Sequence, residues 1–216
     1  MSEMSVDPHT LHAWLSARSL ARGLPAPVPD HGGFRVDTRS ETETTRWVFP
    51  CVTAGLAELG RTIAAPGHLL KLCGTAADLR AALPDSWQLH PPACFMSIAP
   101  SAAAGRAGRS LPAGYDLEVN HDGAVATVRI NTRQGELAAS GHAAEIRDAF
   151  IYDRIVTEPA HRRRGLGRIV MAALRDTKQD EGSPELLVAT RDGHALYTAL
   201  GWHVISPYIT ASIKGT

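Results

Sequence analysis

The stretch His161 to Arg168, HRRRGLGR, sets four arginines around two glycines at positions 165 and 167. Guanidinium groups make charge-assisted hydrogen bonds to phosphate oxygens. Glycines remove the side chains that would keep a bulky anion from the backbone and permit dihedrals other residues resist. The chemistry suited to this spacing is the cradling of a phosphorylated ligand, and its plain rival is a solvated basic turn. No Gly-Lys-Ser/Thr ending follows and the G-x-G-x-x-G spacing is missing, so neither a Walker-type loop nor a dinucleotide fingerprint is present.

The elements around the stretch favour the cradle. DLEVNHDGAVATVRIN carries Asp122-Gly123 between two alternating runs, a hairpin signal. GELAASGHAAEI and AFIYDRIVT read as two further strands, with a turn at Gly135 and a bulge expected at Gly141. After Gly165 the period changes: Leu166, Ile169, Val170, Ala173 and Leu174 mark one buried helix face. The arginines therefore stand at a strand-to-helix junction. The first turn of that helix offers N–H groups without intrahelical partners and the positive end of the helix dipole. Downstream, ELLVAT reads as a buried strand, DGHALYTAL as a helix closed by Gly201, and WHVISPYITA as final strands interrupted at Pro207.

Upstream, Asp7-Pro8 reads as the cap and first position of a helix carrying Leu11, Trp14 and Leu15 and stopped by Gly23 and Pro25. FRVDT and TRWVF resemble strands, followed by a helix from Val52 to about Thr62 and the strand LLKLC. A helix with Thr75 and Asp78 spaced as a capping box and the strand ACFMSI complete this part. Residues 99–114, rich in small residues, Gly and Pro, read as a linker. The expected division is an α/β region over 1–98, the linker, and a domain over 115–216. The strand, helix, strand, helix, strand order from Arg46 to Ile98 repeats that from Phe150 to Tyr208, as a degenerate second copy of the C-terminal half would.

Twenty-two basic and 22 acidic residues balance in 216, so general attraction to nucleic acid or to an anionic membrane is not expected, and an anion site must be local. Three cysteines without close spacing and an N-terminus lacking an apolar signal core point to a reduced, cytoplasmic protein. Ten scattered histidines give no ligand-like pairing, and no metal is expected.

VTEPAHRRRGLGRIVMAAL resembles the acetyl-CoA signature of the GNAT superfamily of N-acetyltransferases, in which R-x-x-G-x-G follows the fourth strand and opens a helix. Arg162, Gly165 and Gly167 match the signature. ATRDGHALYTALGW is similar to the family's closing segment, with Tyr197 at the tyrosine position and Gly201 and Trp202 ending the motif. The resemblance covers about residues 115 to 211. It implies an α/β fold with a GNAT-like mixed, mostly antiparallel sheet flanked by helices, here with an N-terminal α/β extension. It further implies transfer of an acetyl group from acetyl-CoA to a small-molecule or peptide amine by direct attack in a ternary complex.

Carried over by residue, the pyrophosphate of CoA falls on Arg162, Arg163, Arg164, Gly165, Leu166, Gly167 and Arg168. The pantetheine arm follows the strand ending at Ile155, Val156 and Thr157, with the amide near Val156 facing the thioester oxygen as it becomes negative. Thr190 stands where many members carry Asn. Tyr197 is the expected acid for the departing thiolate, against a packing role beside Trp202. Asp153 is the named base, against a solvent-facing edge position; Glu145 and Asp148 either recognise an amine or solvate a loop. His161 is expected to pack beneath the loop and His194 to stand on the surface one turn from Tyr197. A homodimer is the expected assembly. The rival function is a non-catalytic acyl-CoA-binding regulator.

Overall fold

The computed structural model describes residues 6–99 and 110–213, so most of the expected linker, 100–109, lies outside the described residues. Asp7 caps α1 (Pro8–Leu20) by accepting the Thr10 amide. The chain continues through β1 (Val28–Asp30), β2 (Gly33–Asp37), β3 (Thr45–Phe49), α2 (Ala54–Thr62) and β4 (His68–Cys73). It then forms α3 (Ala76–Ala82), opened by the Thr75/Asp78 capping box, β5 (Trp87–Leu89) and β6 (Ala93–Ile98). The later part is a meander of β7 (Tyr115–Asp122), β8 (Val125–Thr132), β9 (Leu137–Ile146) and β10 (Ala149–Thr157). It is followed by α4 (Leu166–Arg175), β11 (Glu185–Ala189), α5 (Arg191–Ala199) and β12 (His203–Ile213).

Among the described residues these strands join one sheet in the order β1-β2-β3-β4-β12-β6-β11-β10-β9-β8-β7, with β5 on β12. Its pairings are antiparallel except β3 with β4 and β10 with β11, each parallel pair bridged by one helix. The sheet does not stop at the expected domain boundary. β6, from the first segment, pairs with β11, while β12, from the last, pairs with β4, and the two pair with each other at the centre. Each half thus completes its sheet with the other's final strand.

Alternation along the strands sorts the core onto two faces. On one face α1 packs Leu11, Trp14 and Leu15 over Val36, Val48, Phe95, Ile151, Leu186 and Tyr208 from both halves. On the opposite face α4 and α5 cover the later half through Leu166, Val170, Leu174 and Tyr197, and α2 and α3 cover the earlier half through Leu56, Leu59 and Leu79.

Three expectations need correction. β1 and β5, short and without clear alternation, are strands the sequence pattern does not mark. Pro207 does not end a strand: β12 runs on from His203 to Ile213, with its register shift between Val204 and Ser206. Gly141 is not a bulge, because it pairs regularly with Val128; the bulge lies instead in β10, between Asp153 and Val156, where Arg154 takes φ 52°.

Gly141 is required by packing. A Cβ there would stand 2.5 Å from Ile155 Cδ1 and 2.7 Å from Val170 Cγ1, so α4 could not approach β9 as it does. Gly141→Ala is expected to destabilise the fold by about 1–3 kcal/mol through overpacking, read as a lowered denaturant midpoint at unchanged slope.

Candidate active site

The site begins where two parallel strands part. β10 and β11 are paired only at Phe150 with Glu185 and Ile151 with Leu186. Beyond these positions β10 stays on β9 through Thr157 and β11 stays on β6 through Ala189, so the facing edges open into a cleft with backbone groups free to pair with an extended ligand. The earlier half lacks this opening: β3 and β4 are paired at every position from Thr45 with His68 to Phe49 with Leu72.

A buried charge cluster fixes the point of divergence. Glu185, 3% exposed, accepts from the Tyr152 hydroxyl at 2.6 Å and from Lys178 Nζ at 3.2 Å, and is ion-paired with Arg175 at 2.8 Å. Burial, then the adjacent Glu185 charge, holds the Tyr152 phenol well above its ordinary range, so it remains a donor. The Tyr152 ring meets Phe150 and Trp202 edge-on at 5.1 and 5.3 Å, and Trp202 meets Tyr197 at 6.3 Å.

At the mouth of the cleft the HRRRGLGR turn follows a short 3-10 turn, Pro159–His161. Among the described residues the five consecutive backbone N–H groups from Arg163 to Gly167 have no hydrogen-bond partner; bonding resumes at Arg168, whose amide reaches Gly165 O at 3.0 Å. Arg163 and Gly165 take φ 66° and 83°, on either side of Arg164. Such alternation turns successive N–H groups to one side and forms an anion-binding nest, here continuous with the N-terminus of α4. A Cβ on Gly165 would meet nothing within 4 Å, whereas one on Gly167 would press on Leu196 at 3.1 Å. Gly165 is thus required by its dihedral and Gly167 by helix packing.

The arginines divide their work. Arg164 donates to the Tyr115 hydroxyl at 2.9 Å, and Tyr115 shares a 2.9 Å hydrogen bond with buried His161. His161 therefore packs beneath the loop, as expected. Arg162 reaches back to Thr157 O at 3.3 Å. No side-chain hydrogen bond occupies Arg163 or Arg168 among the described residues, which leaves their guanidinium groups available to a ligand. Leu166 is buried beneath the turn, and its contribution to the cradle is its amide.

Ile155 lies within the β10 bulge, and Val156 and Thr157 follow it along the cleft, Val156 being 45% exposed. Thr190 directly follows β11 and is the N-cap residue of α5 without a side-chain capping bond, so its hydroxyl remains available. Tyr197 lies on α5 with its ring over Gly193. Burial, and secondarily the Asp153 charge, push its phenol up to about 12, so it holds its proton at neutral pH. No hydrogen bond joins His194 to Tyr197 among the described residues, and His194 stays a half-buried surface group.

Asp153 does not fit the expected role of base. Its carboxylate takes two hydrogen bonds from Arg22, at 2.6 and 2.9 Å, and lies 3.6 Å from Arg18 and 3.5 Å from Arg154. Burial alone would raise it, but the Arg22 hydrogen bonds and the three guanidinium charges hold it below the usual carboxylate range. A carboxylate so committed is a weak proton acceptor and serves instead to tie α1 to the bulge. Glu145 is similarly engaged, capping the Gln179 and Asp180 amides at 2.7 and 2.8 Å.

The residue that sequence reasoning missed is His142, the cross-strand partner of Asp153 on the α1 face. Its ring lies 3.1 Å from Thr127 Oγ1. Burial, then Arg154, outweigh Asp153 and pull it below its ordinary value, leaving a neutral imidazole near pH 7. Only its place opposite the bulge marks it.

Residues 118–204 match the family model described as the acetyltransferase (GNAT) domain. Over those residues the chain is similar to GNAT acetyltransferase domains. Solved structures show the same fold over nearly the whole chain. A GCN5-related N-acetyltransferase from Kribbella flavida is 15% identical, with 96% of each chain covered and a TM-score of 0.64. A conserved protein of unknown function from Staphylococcus epidermidis is 8% identical over 88% of this chain and 94% of its own, at 0.60. A tandem GNAT protein from the clavulanic acid biosynthesis pathway is 14% identical over 97% and 95%, at 0.53. No curated protein matches the sequence significantly. Among the described residues no helix is long and apolar enough to cross a membrane, and no cluster of three potential metal ligands occurs.

The setting of Asp153 has a pH consequence. Because its folded pKa is depressed, its stabilisation is present above the unfolded value of about 4 and is lost as pH falls through the folded value. Asp153→Asn is expected to cost about 2 kcal/mol near pH 7, below the range for a fully buried pair because the arginines are partly solvated. The difference from the native protein should shrink below about pH 4 in urea titrations; a constant difference down to pH 2 would contradict this assignment.

Proposed function

We propose that the protein is an acetyl-CoA-dependent N-acetyltransferase that acetylates a primary amine by direct attack in a ternary complex. The observation that carries the proposal is the run of five unpartnered amides, Arg163 to Gly167, at the open end of the β10/β11 cleft. Five donors and a helix N-terminus suit a pyrophosphate, with Arg163 and Arg168 as charge-assisted donors. The unpaired edge of β10 at Ile155 to Thr157 suits the amide-bearing pantetheine arm, and the Thr190 hydroxyl, at the junction of β11 and α5, makes no capping bond that would occupy it. The thioester then lies near the bulge, where the Val156 amide is the donor we assign to its oxygen as negative charge develops.

Tyr197, protonated and buried on the α5 side, supplies the proton for the departing thiolate. The acceptor reaches the cleft from the α1 face, where His142, neutral near pH 7, is the group we assign to receive the amine proton. The earlier half contributes no second cofactor site. Its parallel strands are closed, and the α2 N-terminus is stopped by Thr53, which takes the Leu56 amide, and by the His31 carbonyl packed against Gly55. We read that half as a degenerate GNAT-like unit, an arrangement that the likeness to a tandem GNAT structure supports.

Calorimetric titration with acetyl-CoA tests the cradle. Binding in the micromolar range, about −8 kcal/mol, is expected for the native protein and none for Gly165→Glu. Gly165→Ala, which brings the dihedral strain without the charge, should lose less affinity than Gly165→Glu; equal loss in both variants would mean that dihedral strain, not charge repulsion at the anion site, abolished binding.

Turnover tests the roles. Tyr197→Phe should lower kcat about 100-fold, the low end for acid catalysis, at unchanged acetyl-CoA affinity. His142→Asn should remove the limb along which kcat rises from acid pH. Unchanged turnover in Tyr197→Phe would remove Tyr197 from the role of acid, whereas acetyl-CoA binding with no turnover on any amine would favour the acyl-CoA-binding regulator.

A further inference from the structure

On the α1 face the strands carry cations that neither the core nor the cleft explains. Arg46 shares its face with Val48, and its cross-strand partner Val36 lies in the core beneath α1. Its guanidinium is bound on one side by Glu43 through Nε and Nη2, yet its Nη1 is buried and has no partner among the described residues, in a side chain only 5% exposed. Lys71 lies one strand away, opposite Val48 and Thr210, and its Nζ holds only the Thr210 hydroxyl, at 3.2 Å. Arg18 descends from α1 over the Trp14 ring, 5.5 Å from its centroid, and reaches Asp153 at the bulge.

These groups share one electrostatic environment. Burial, then the Arg46 and Arg22 charges, depress Arg18 to about 10. Burial, then Arg18 and Arg46, depress Lys71 to about 7, with Glu43 opposing and Arg22 adding. Among the described residues Arg18, Arg22, Arg46, Lys71 and Arg154 face two carboxylates, Glu43 and Asp153. Cations gathered in a half-buried site repel one another and lose hydration, a cost that a bound anion reverses. The unpartnered Arg46 Nη1 is the donor such an anion would meet.

We infer that the α1 face beside the cleft binds an anionic group, and that the amine acceptor therefore carries a carboxylate or a phosphate. The anion sits against Arg46, Lys71 and Arg18, and the amine extends past Arg18 towards the β10 bulge, where the thioester would lie. The substrate class rests on the acetyltransferase reading; the anion site does not. The Arg18–Asp153 pair joins the two, since one guanidinium faces the bulge carboxylate and lies within electrostatic reach of Arg46 and Lys71.

The site is tested without turnover by arginine Nε–Hε NMR of the full chain, titrated with inorganic phosphate. The Arg46 and Arg18 signals, assigned with Arg46→Lys and Arg18→Lys, should shift saturably, while Arg163 and Arg168 report any phosphate in the cradle. No shift at Arg46 and Arg18 overturns the proposal. The substrate class is tested by transfer from acetyl-CoA to matched amines: 4-aminobutyrate against butylamine, and O-phosphoethanolamine against ethanolamine. At least one anionic member should show kcat/KM 10-fold or more above its neutral partner, and the preferred pair tells carboxylate from phosphate. Arg46→Gln, and separately Lys71→Met should either variant fold poorly, should reduce that ratio at least threefold. Equal use of both members of each pair overturns the substrate class and leaves the transferase reading standing. Failure of acetyl-CoA to perturb the Arg163 to Gly167 amides overturns the transferase reading and leaves the phosphate response of Arg46 intact.

Discussion

The structure depends on a parallel pairing that is allowed to run for only two residues. Phe150 and Ile151 meet Glu185 and Leu186, and then the strands part. Parting would leave two unsatisfied edges in the middle of a sheet, so each strand must be secured from its outer side and the vertex must be rigid. β9 secures the outer side of β10 before and after its bulge, and β6 secures that of β11 along its full length. Rigidity comes from Glu185, which ties Tyr152 on one strand to Arg175 at the end of α4 and to Lys178 just beyond it. Removing one member of so buried a network would strand the remaining charges, and the cleft would lose its fixed angle. The aromatic series from Phe150 to Tyr197 starts from the same vertex, so the proposed acid is located relative to the cleft by packing and not by a loop.

The two halves show what the opening requires. Both contain a parallel pair bridged by a helix, yet only the later half has the bulge, the splay and the arginine turn. In the earlier half Thr53 fills the position that Gly165 leaves open, and a carbonyl closes the helix end. The halves nevertheless cannot be separated, because β6 and β12 are exchanged between them. Loss of the first segment would expose the β11 edge and with it the far wall of the cleft. The covering half is therefore a structural part of the site even though it holds no cradle of its own.

What could be read from the sequence follows from the range of the interactions. Capping at Asp7 and at Thr75 with Asp78, the Asp122-Gly123 hairpin and the apolar stripe of α4 are local, and each element forms where these signals place it. The arginine turn is local too, and its glycines stand where the dihedrals and the helix packing require them. Asp153 was misleading because its partners, Arg18 and Arg22, lie more than 130 residues earlier; a carboxylate in a strand looks the same whether it faces water or two guanidinium groups. Gly141 resembles a bulge for the same reason, since the atoms that exclude a Cβ come from Ile155 and Val170. The exchange of β6 and β12 leaves no local trace at all.

Charge distribution completes the argument. A chain with 22 basic and 22 acidic residues has no net field with which to draw in an anion from a distance, so recognition must come from short-range surpluses. One surplus lies in backbone dipoles at Arg163 to Gly167, reinforced by Arg163 and Arg168; another lies in side chains on the α1 face. Asp153 stands between them at the bulge and is the single carboxylate there that three arginines share. Without it, Arg18, Arg22 and Arg154 would repel one another and α1 would lose its ion-pair tie to β10. Its strength as an ion-pair partner is also why it cannot serve as base: the arginines that make it an anchor withdraw the proton affinity a base needs. In the proposed reaction, proton transfer falls to groups whose environments leave them neutral, His142 on one side of the sheet and Tyr197 on the other.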